Sequence, residues 1–324
     1  MEKIMKIQFS PSVYEHAAFL IERSPWNVSH DLELLWKSHS KAYRMYEHTP
    51  IVVGIDIYNI EAEAYGCVVD HPSGNGIPAI TRGIISSIED FKKLRAFDPE
   101  NDGRIPMIIE AGKKLSGEFP DADIRIPVSG PFSIAVSLRS LSGLLEDVAY
   151  RPELVRKFLI QLADNQVNLC KAVMEAGLDV AFFESAAAPP LLSPKQFHDL
   201  ELPALKNAME KVSKVVGHPV PCIIGGDTEP ILEDILSTGT SYIICPAETN
   251  QKTFMEKLKN QNKVKIRINI DPLTVAHGSK SQILKDVDRI LKMADGRENI
   301  LLGTGAVPYE TPPENIILIK EYVS

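Results

Sequence analysis

Cysteine is scarce in this chain: Cys67, Cys170, Cys222 and Cys245 are widely spaced and form no CxxC pair. That excludes a disulfide framework and leaves reduced thiols of a cytoplasmic protein as the expectation. Long apolar runs are missing as well, and none approaches the roughly 18 residues that a membrane span needs. The opening stretch, Met1–His16, lacks the apolar core of a signal peptide. Positive charge is in deficit: 35 Lys and Arg against 43 Asp and Glu give a net −8 and a pI near 5.6. Nucleic acid and anionic membrane are therefore excluded as main partners. Repeats, low-complexity tracts and interdomain linkers are absent, so residues 1–324 read as one domain. What is present is 44% hydrophobic residues, enough for a sizeable core.

Hydrophobic patterning organises that core. Residues 1–49 read as a polar, helical N-terminal extension carrying Trp26, Trp36, Tyr43 and Tyr46. The first strand is expected at Ile51–Ile57, a β-branched run of the kind buried on both faces. Strands follow at Ile124–Val128, Asp179–Phe183, Pro219–Ile224, Ser241–Cys245, Lys265–Ile270 and Ile300–Leu302. Helices alternate with them: Pro152–Gly177, with Leu154, Val155, Phe158, Leu159 and Leu162 at helical spacing, then Lys195–Val215, Glu229–Leu236, Thr253–Lys259 and Lys280–Ala294. Strand–helix alternation with right-handed crossovers gives a parallel sheet, and at this length a single (β/α)8 TIM-like barrel.

In such a barrel the chemistry sits where strands end, because the loops there converge on one mouth. Asp56, Tyr58, Asn59, Glu61 and Glu63 crowd the end of the Ile51 strand. Asp56 and Asn59 could bind a modestly polar substrate, whereas Glu61 and Glu63 could equally open a helix in solvent. Glu184 ends the apolar run Ala181–Phe183, so its carboxyl should be paired, ligated or raised in pKa. Asp227 follows Gly225 and Gly226 after another strand; it reads as an acid, base or ligand, or as a simple helix cap. Cys245, Glu248, Asn269 and Asp271 mark the next two strand ends, with Asp271 before Pro272 readable as a turn residue. Glu184, Asp227, Glu248 and His71 are oxygen- and nitrogen-rich candidates for a metal, without diagnostic ligand spacing. His71, in the loop Val69–Gly76, could be a lid donor or merely exposed.

Five strings carry a resemblance: Ser129–Phe132 (SGPF), Leu192–Phe197 (LSPKQF), Pro221–Leu232 (PCIIGGDTEPIL), Lys265–Pro272 (KIRINIDP) and Asn299–Asn315 (NILLGTGAVPYETPPEN). In this order they resemble the uroporphyrinogen decarboxylase superfamily, which includes the haem-pathway decarboxylase and methyltransferases serving corrinoid proteins. The resemblance implies a barrel across nearly the whole chain. It also implies, for the thiol-using methyltransferases, a zinc site whose ligands would fall at Ile223, Gly225 and near Thr304 or Gly305. None of these is a ligand, and His218 and Cys222 are out of phase. For the decarboxylase it implies a paired-arginine loop, but Ile51–Gly66 contains no arginine, and Arg82, Arg104 and Arg125 stand singly. A site poor in cations cannot easily desolvate so anionic a ligand.

What remains resembles the first methyltransferase of O-demethylase systems. That implies transfer of a methyl group from a methoxylated aromatic donor to the Co(I) of a separate corrinoid protein, since the chain has no DxHxxG string of its own. An ether oxygen must be protonated or coordinated before it leaves, so Glu184, Asp227, Tyr58 and His71 are the catalytic candidates. Asp56, Asn59, Phe132, Asn269 and Thr304 are the substrate-binding candidates. Glu184, Asp227 and Glu248 are the metal candidates, which leaves zinc open. The expected partners are the corrinoid (cobalamin) protein and a small methyl donor, with homodimer formation left open. The competing classes are a methylcobamide:thiol or folate methyltransferase, a ligand-binding barrel without catalysis and, more remotely, the decarboxylase.

Overall fold

Eight parallel strands build the described part of the chain, residues 6–324, in a computed structural model. They are β1 (Gln8–Ser12), β2 (Ile51–Val52), β3 (Ile124–Ser129), β4 (Asp179–Phe183), β5 (Cys222–Ile223), β6 (Tyr242–Cys245), β7 (Lys265–Ile270) and β8 (Ile300–Ala306). Ladder pairing gives two four-stranded halves, β2-β3-β4-β5 and β1-β8-β7-β6. Ser241 N donates to Val220 O at 3.1 Å across the β5/β6 seam, and Ser10 Oγ donates to Thr49 O at 2.7 Å across the β1/β2 seam. The halves thus meet along both edges in the strand order of a barrel.

β1 corrects the expectation of a wholly helical extension over residues 1–49. Gln8 pairs with Leu301 and Ser10 with Gly303, so this segment opens the barrel itself. Helices follow only from Glu15, at Glu15–Leu20, Pro25–Ser29 and Leu32–Tyr46. The strand is hard to see because it is short, polar and interrupted by Pro11, which has no N–H for the ladder. Its register with β8 slips between Ser10 and Ser12. Ile51–Ile57 accordingly holds the second strand rather than the first, and its ladder is only Ile51–Val52.

The main hydrophobic core lies between strands and helices rather than inside the barrel. In β7, Ile266, Ile268 and Ile270 are fully buried in that outer layer. Burying each side chain is worth about 1.5–3 kcal/mol. The alternate residues Lys265, Arg267 and Asn269 belong to the opposite face, since side chains alternate along a strand. Inside, among the described residues, two small apolar clusters form, one around Ala181 and Phe183 and one around Tyr242, Ile244 and Leu301. The interior is therefore partly open.

One irregularity in the helix layer positions a carboxyl. Pro203 cannot donate to Asp199 O, four residues back, and the chain there winds as a π-turn over Phe197–Glu201. Arg156 takes up the freed carbonyl through Nε and Nη2 at 3.2 and 3.0 Å. The turn carries Glu201 against Glu184.

Candidate active site

A cavity of about 410 Å³ opens where the strands end, bounded by Tyr14 and Glu15 after β1, Asp56 and Tyr58 after β2, Phe183 and Ser185 at β4, Glu248 after β6 and Asn269 on β7. Its floor includes Ile223, Ile244 and Arg267. Aromatic edges shape it: Tyr14 and Tyr58 each stand nearly perpendicular to the Phe183 ring, with centroids 6.2 and 6.4 Å apart. Below it, toward the starts of the strands, lies a second cavity of about 270 Å³, and Arg267, Tyr14 and Phe183 border both.

Several candidates lie at this mouth. Tyr58 shares a hydrogen bond with Ser185 Oγ, and burial pushes its phenol well above the ordinary value. Asp56 also lines the cavity, but Arg104 holds it with two bonds, Nη1–Oδ1 at 2.9 Å and Nη2–Oδ2 at 2.7 Å. Asn59 Nδ2 donates to Asp56 Oδ2 and to Pro78 O, both at 2.8 Å, so Asn59 braces the loop without bordering the cavity. Asn269 borders the cavity, 2% exposed, and its Oδ1 has no partner. Glu248 stands exposed at the rim.

Other candidates are turned elsewhere. Glu184 follows Phe183 on the strand, so when Phe183 points inward Glu184 points outward. It is fully buried at the start of the helix Pro131–Arg139, accepting from Phe132 N, Ser133 N and Ser133 Oγ at 3.0, 3.1 and 2.6 Å. Burial raises the carboxyls of both Glu184 and its neighbour Glu201, so the pair retains a proton between them. The expectation of a raised pKa matches this environment. The placement in the mouth is corrected.

The SGPF string is the other side of this joint. Glu61 accepts from Ser129 N at 2.6 Å and Ser129 Oγ at 3.0 Å, and a Cβ on Gly130 would collide with the Glu184 carboxyl. Phe132 is fully buried in the outer core and touches neither cavity. Thr304 is likewise corrected: its Oγ1 accepts from Ser12 N at 3.2 Å and stitches β1 to β8. Asp227 is exposed beside the mouth, where Oδ1 accepts from Thr249 Oγ1 at 2.8 Å. His71 packs on Trp26, with ring centroids 4.5 Å apart, away from the cavity.

Four of these residues escaped the sequence reading, Tyr14 and Ser185 in the walls and two charged ones, Glu15 and Arg267. Glu15, 7% exposed, borders the cavity, and no side chain donates to its carboxyl among the described residues. Burial pushes that carboxyl up to about 7. Arg267 puts one cation inside the barrel, at a site expected to be poor in them. Alternation in Lys265–Ile270 (KIRINI), with isoleucine at every second place, is the signal that would have found Arg267. Glu15 had no comparable signal once β1 was missed.

A metal has little to bind here. Among the described residues no group of three or more His, Cys, Asp or Glu is arranged to hold one. Glu184 lies behind the barrel wall, Asp227 is bonded to Thr249 and Glu248 is at the rim, so the three candidates do not converge. Of the zinc positions implied by resemblance, Ile223 and Gly225 carry no ligand atom and the Thr304 hydroxyl is already engaged. Cys222 faces the core, and burial holds its thiol far above the ordinary value. The residues present do not fit that ion.

The family model for uroporphyrinogen decarboxylase (URO-D) matches residues 7–324. The chain belongs to this family. Within it, a methylcobamide:CoM methyltransferase of Methanosarcina acetivorans is 25% identical over 260 residues, 79% of this chain and 74% of its own. One from Methanosarcina barkeri (strain Fusaro) is 25% identical over 256 residues, 78% and 73% of the two chains. A uroporphyrinogen decarboxylase of Pseudoalteromonas translucida is 26% identical over 306 residues, 89% and 82%. Among solved structures, a methyltransferase from Methanosarcina mazei aligns over 100% of this chain and 94% of its own, with TM-score 0.82 and 20% identity. That likeness shows the (β/α)8 fold. Among the described residues no helix is long and apolar enough to cross a membrane.

Proposed function

We propose that this member of the uroporphyrinogen decarboxylase family is a corrinoid-dependent methyltransferase that takes a methyl group from a methoxylated aromatic compound. The observation that carries the reading is a mouth walled by Tyr14, Tyr58 and Phe183 in which one carboxyl, Glu15, is left without a side-chain donor. Flat aromatic walls suit an aryl ether. Breaking its O–CH3 bond needs a proton at the departing oxygen, and a carboxyl titrating near neutrality is matched to that task. Glu15 supplies the proton, the aromatic walls hold the ring, and the Tyr58–Ser185 pair offers a hydroxyl to orient it. The reduced corrinoid of a separate protein, docked over the mouth, supplies the nucleophile that takes the methyl group.

The methylcobamide:CoM relatives favour a second reading, transfer to a thiol. Thiol transfer needs an activated thiolate, and this mouth offers no metal ligand set for one. Decarboxylation of an octacarboxylate needs many cations, whereas the cavity has Arg267 alone, Arg104 being committed to Asp56 and Glu63.

Mixing the protein with a methoxylated aromatic and a reduced corrinoid protein, and following the corrinoid absorption spectrum, tests the reading. Conversion to the methylated form is the expected result. Methyl transfer to a thiol with no change for any aryl ether would put the second reading in its place.

A further inference from the structure

Arg267 is an expensive residue to keep where it is. It lies mid-strand on β7, 6% exposed, inside the barrel. A buried guanidinium costs several kcal/mol unless an anion or a full set of acceptors meets it. Among the described residues no carboxylate forms an ion pair with it. Its one protein hydrogen bond is from Nη1 to Ser10 O at 3.3 Å, and Nε has no partner at all.

The surroundings make room for it all the same. A Cβ on Gly303, the facing residue of β8, would collide with the Arg267 stem, so the glycine leaves a slot in which the side chain lies. The Tyr242 hydroxyl is buried nearby without a partner, and so is Asn269 Oδ1, two residues along the strand. Arg267 borders the mouth cavity from beneath, with Tyr14, Tyr58, Phe183, Ile223 and Ile244 around it; of the carboxyls on the same lining, Asp56 is paired with Arg104, burial raises Glu15 to about 7 and Glu248 stands exposed at the rim. A ligand that fills this space with an apolar ring presents its far end to a guanidinium lacking a counter-ion.

We infer that Arg267 anchors an anionic group of the substrate, so that the preferred compounds are small aromatic carboxylates. The carboxylate accepts from Arg267 at the floor, and the rest of the ring extends toward the mouth. This rests on the mouth cavity being the substrate site. It adds the class of substrate: an acid rather than a neutral ether.

The test is calorimetric titration of the full chain with sodium benzoate and with benzamide, its neutral isostere, at neutral pH. Benzoate should bind about ten- to a hundredfold tighter, as expected for hydrogen bonds to a charged group. Arg267→Gln should bring benzoate down to the level of benzamide, and Arg267→Lys, which keeps the charge but not the fork, should fall between. Thermal melting establishes that each variant is folded; if Arg267→Gln is not, the lysine variant and the native benzoate/benzamide ratio decide. Equal binding of the two probes, no benzoate binding at millimolar concentration, or undiminished binding by folded Arg267→Gln would overturn the proposal. Benzoate has no methyl group to transfer, so failure here leaves the methyl-transfer reading standing, and failure of methyl transfer leaves a positive benzoate result intact.

Discussion

The two halves of the barrel treat their polar residues in opposite ways. At the ends of β2 to β4 the candidate groups are met by the protein: Asp56 by Arg104 and Asn59, Tyr58 by Ser185, Glu61 by Ser129, Glu184 by the helix start at Phe132 and Ser133, although behind them Glu201 and Gln166 Oε1 lack partners. On β6 and β7, and just after β1, several are not. Arg267 Nε, Asn269 Oδ1 and the Tyr242 hydroxyl have no partner, and Glu15 receives no side-chain donor among the described residues. Buried polar groups left unpaired cost free energy, so a fold that retains several on one side of a cavity is shaped for something it does not contain. Both halves line the cavity, but the unpaired polar groups gather on the side of β1, β6 and β7.

The largest effect should come from Glu15. Glu15→Gln should lower kcat by about 10²–10⁴ with KM little changed, measured as corrinoid methylation from a methoxylated aromatic. A general acid works while protonated, so native activity should fall as pH rises through about 7, and that limb should vanish in Glu15→Gln. Glu184→Gln, in the other half, should leave kcat near the native value. A kcat loss from Glu184→Gln equal to that from Glu15→Gln would erase the distinction between the halves.

Next in size is the Asp56–Arg104 pair. Arg104→Ala leaves Asp56 buried without its cation and should destabilise the fold by about 3–5 kcal/mol, measured by urea unfolding. No such loss should follow Arg267→Gln, because that guanidinium has no carboxylate to strand. If both variants unfold alike, Arg267 is as structural as Arg104.

Glu61 offers a smaller, pH-dependent contrast. Burial pushes its folded pKa up to about 7, so the folded chain holds a proton there that the unfolded chain has released. Stability from this source is present below the unfolded value near 4.5 and is lost as pH rises through about 7. Glu61→Gln should flatten the decline of Tm with pH over that window. An unchanged slope would assign the decline to the Glu184–Glu201 pair, whose shared proton acts in the same direction.

The smallest effect should be at Asp227. Its one side-chain bond is accepted from Thr249, and asparagine can accept it equally well. Asp227→Asn should leave both kcat and Tm within error, and a hundredfold loss of rate would return Asp227 to the mechanism.

Much of this was legible in the residues. Apolar β-branched runs gave away seven strands, since outward residues such as Ile266, Ile268 and Ile270 are buried against helices. β1 was not legible, because Gln8–Ser12 carries polar residues and a proline and borrows its order from β8. Missing β1 hid Glu15. Strand parity explains the remaining differences. A strand end says that a residue is near the mouth, but only the face it occupies says whether it enters. Asn269 does, and Glu184, one step past Phe183, does not.

The pairing of β1 with β8 has a consequence for how the protein is made. Ser12 and Thr304, which stitch these strands, are 292 residues apart. A contact of such range cannot form until β8 has emerged. Arg267 reaches Ser10 O across the same seam, and Glu15 lies just beyond it. In a nascent chain the seam that carries Arg267 and Glu15 thus stays open until β8 has been made. Binding competence then waits on β8 closing against β1.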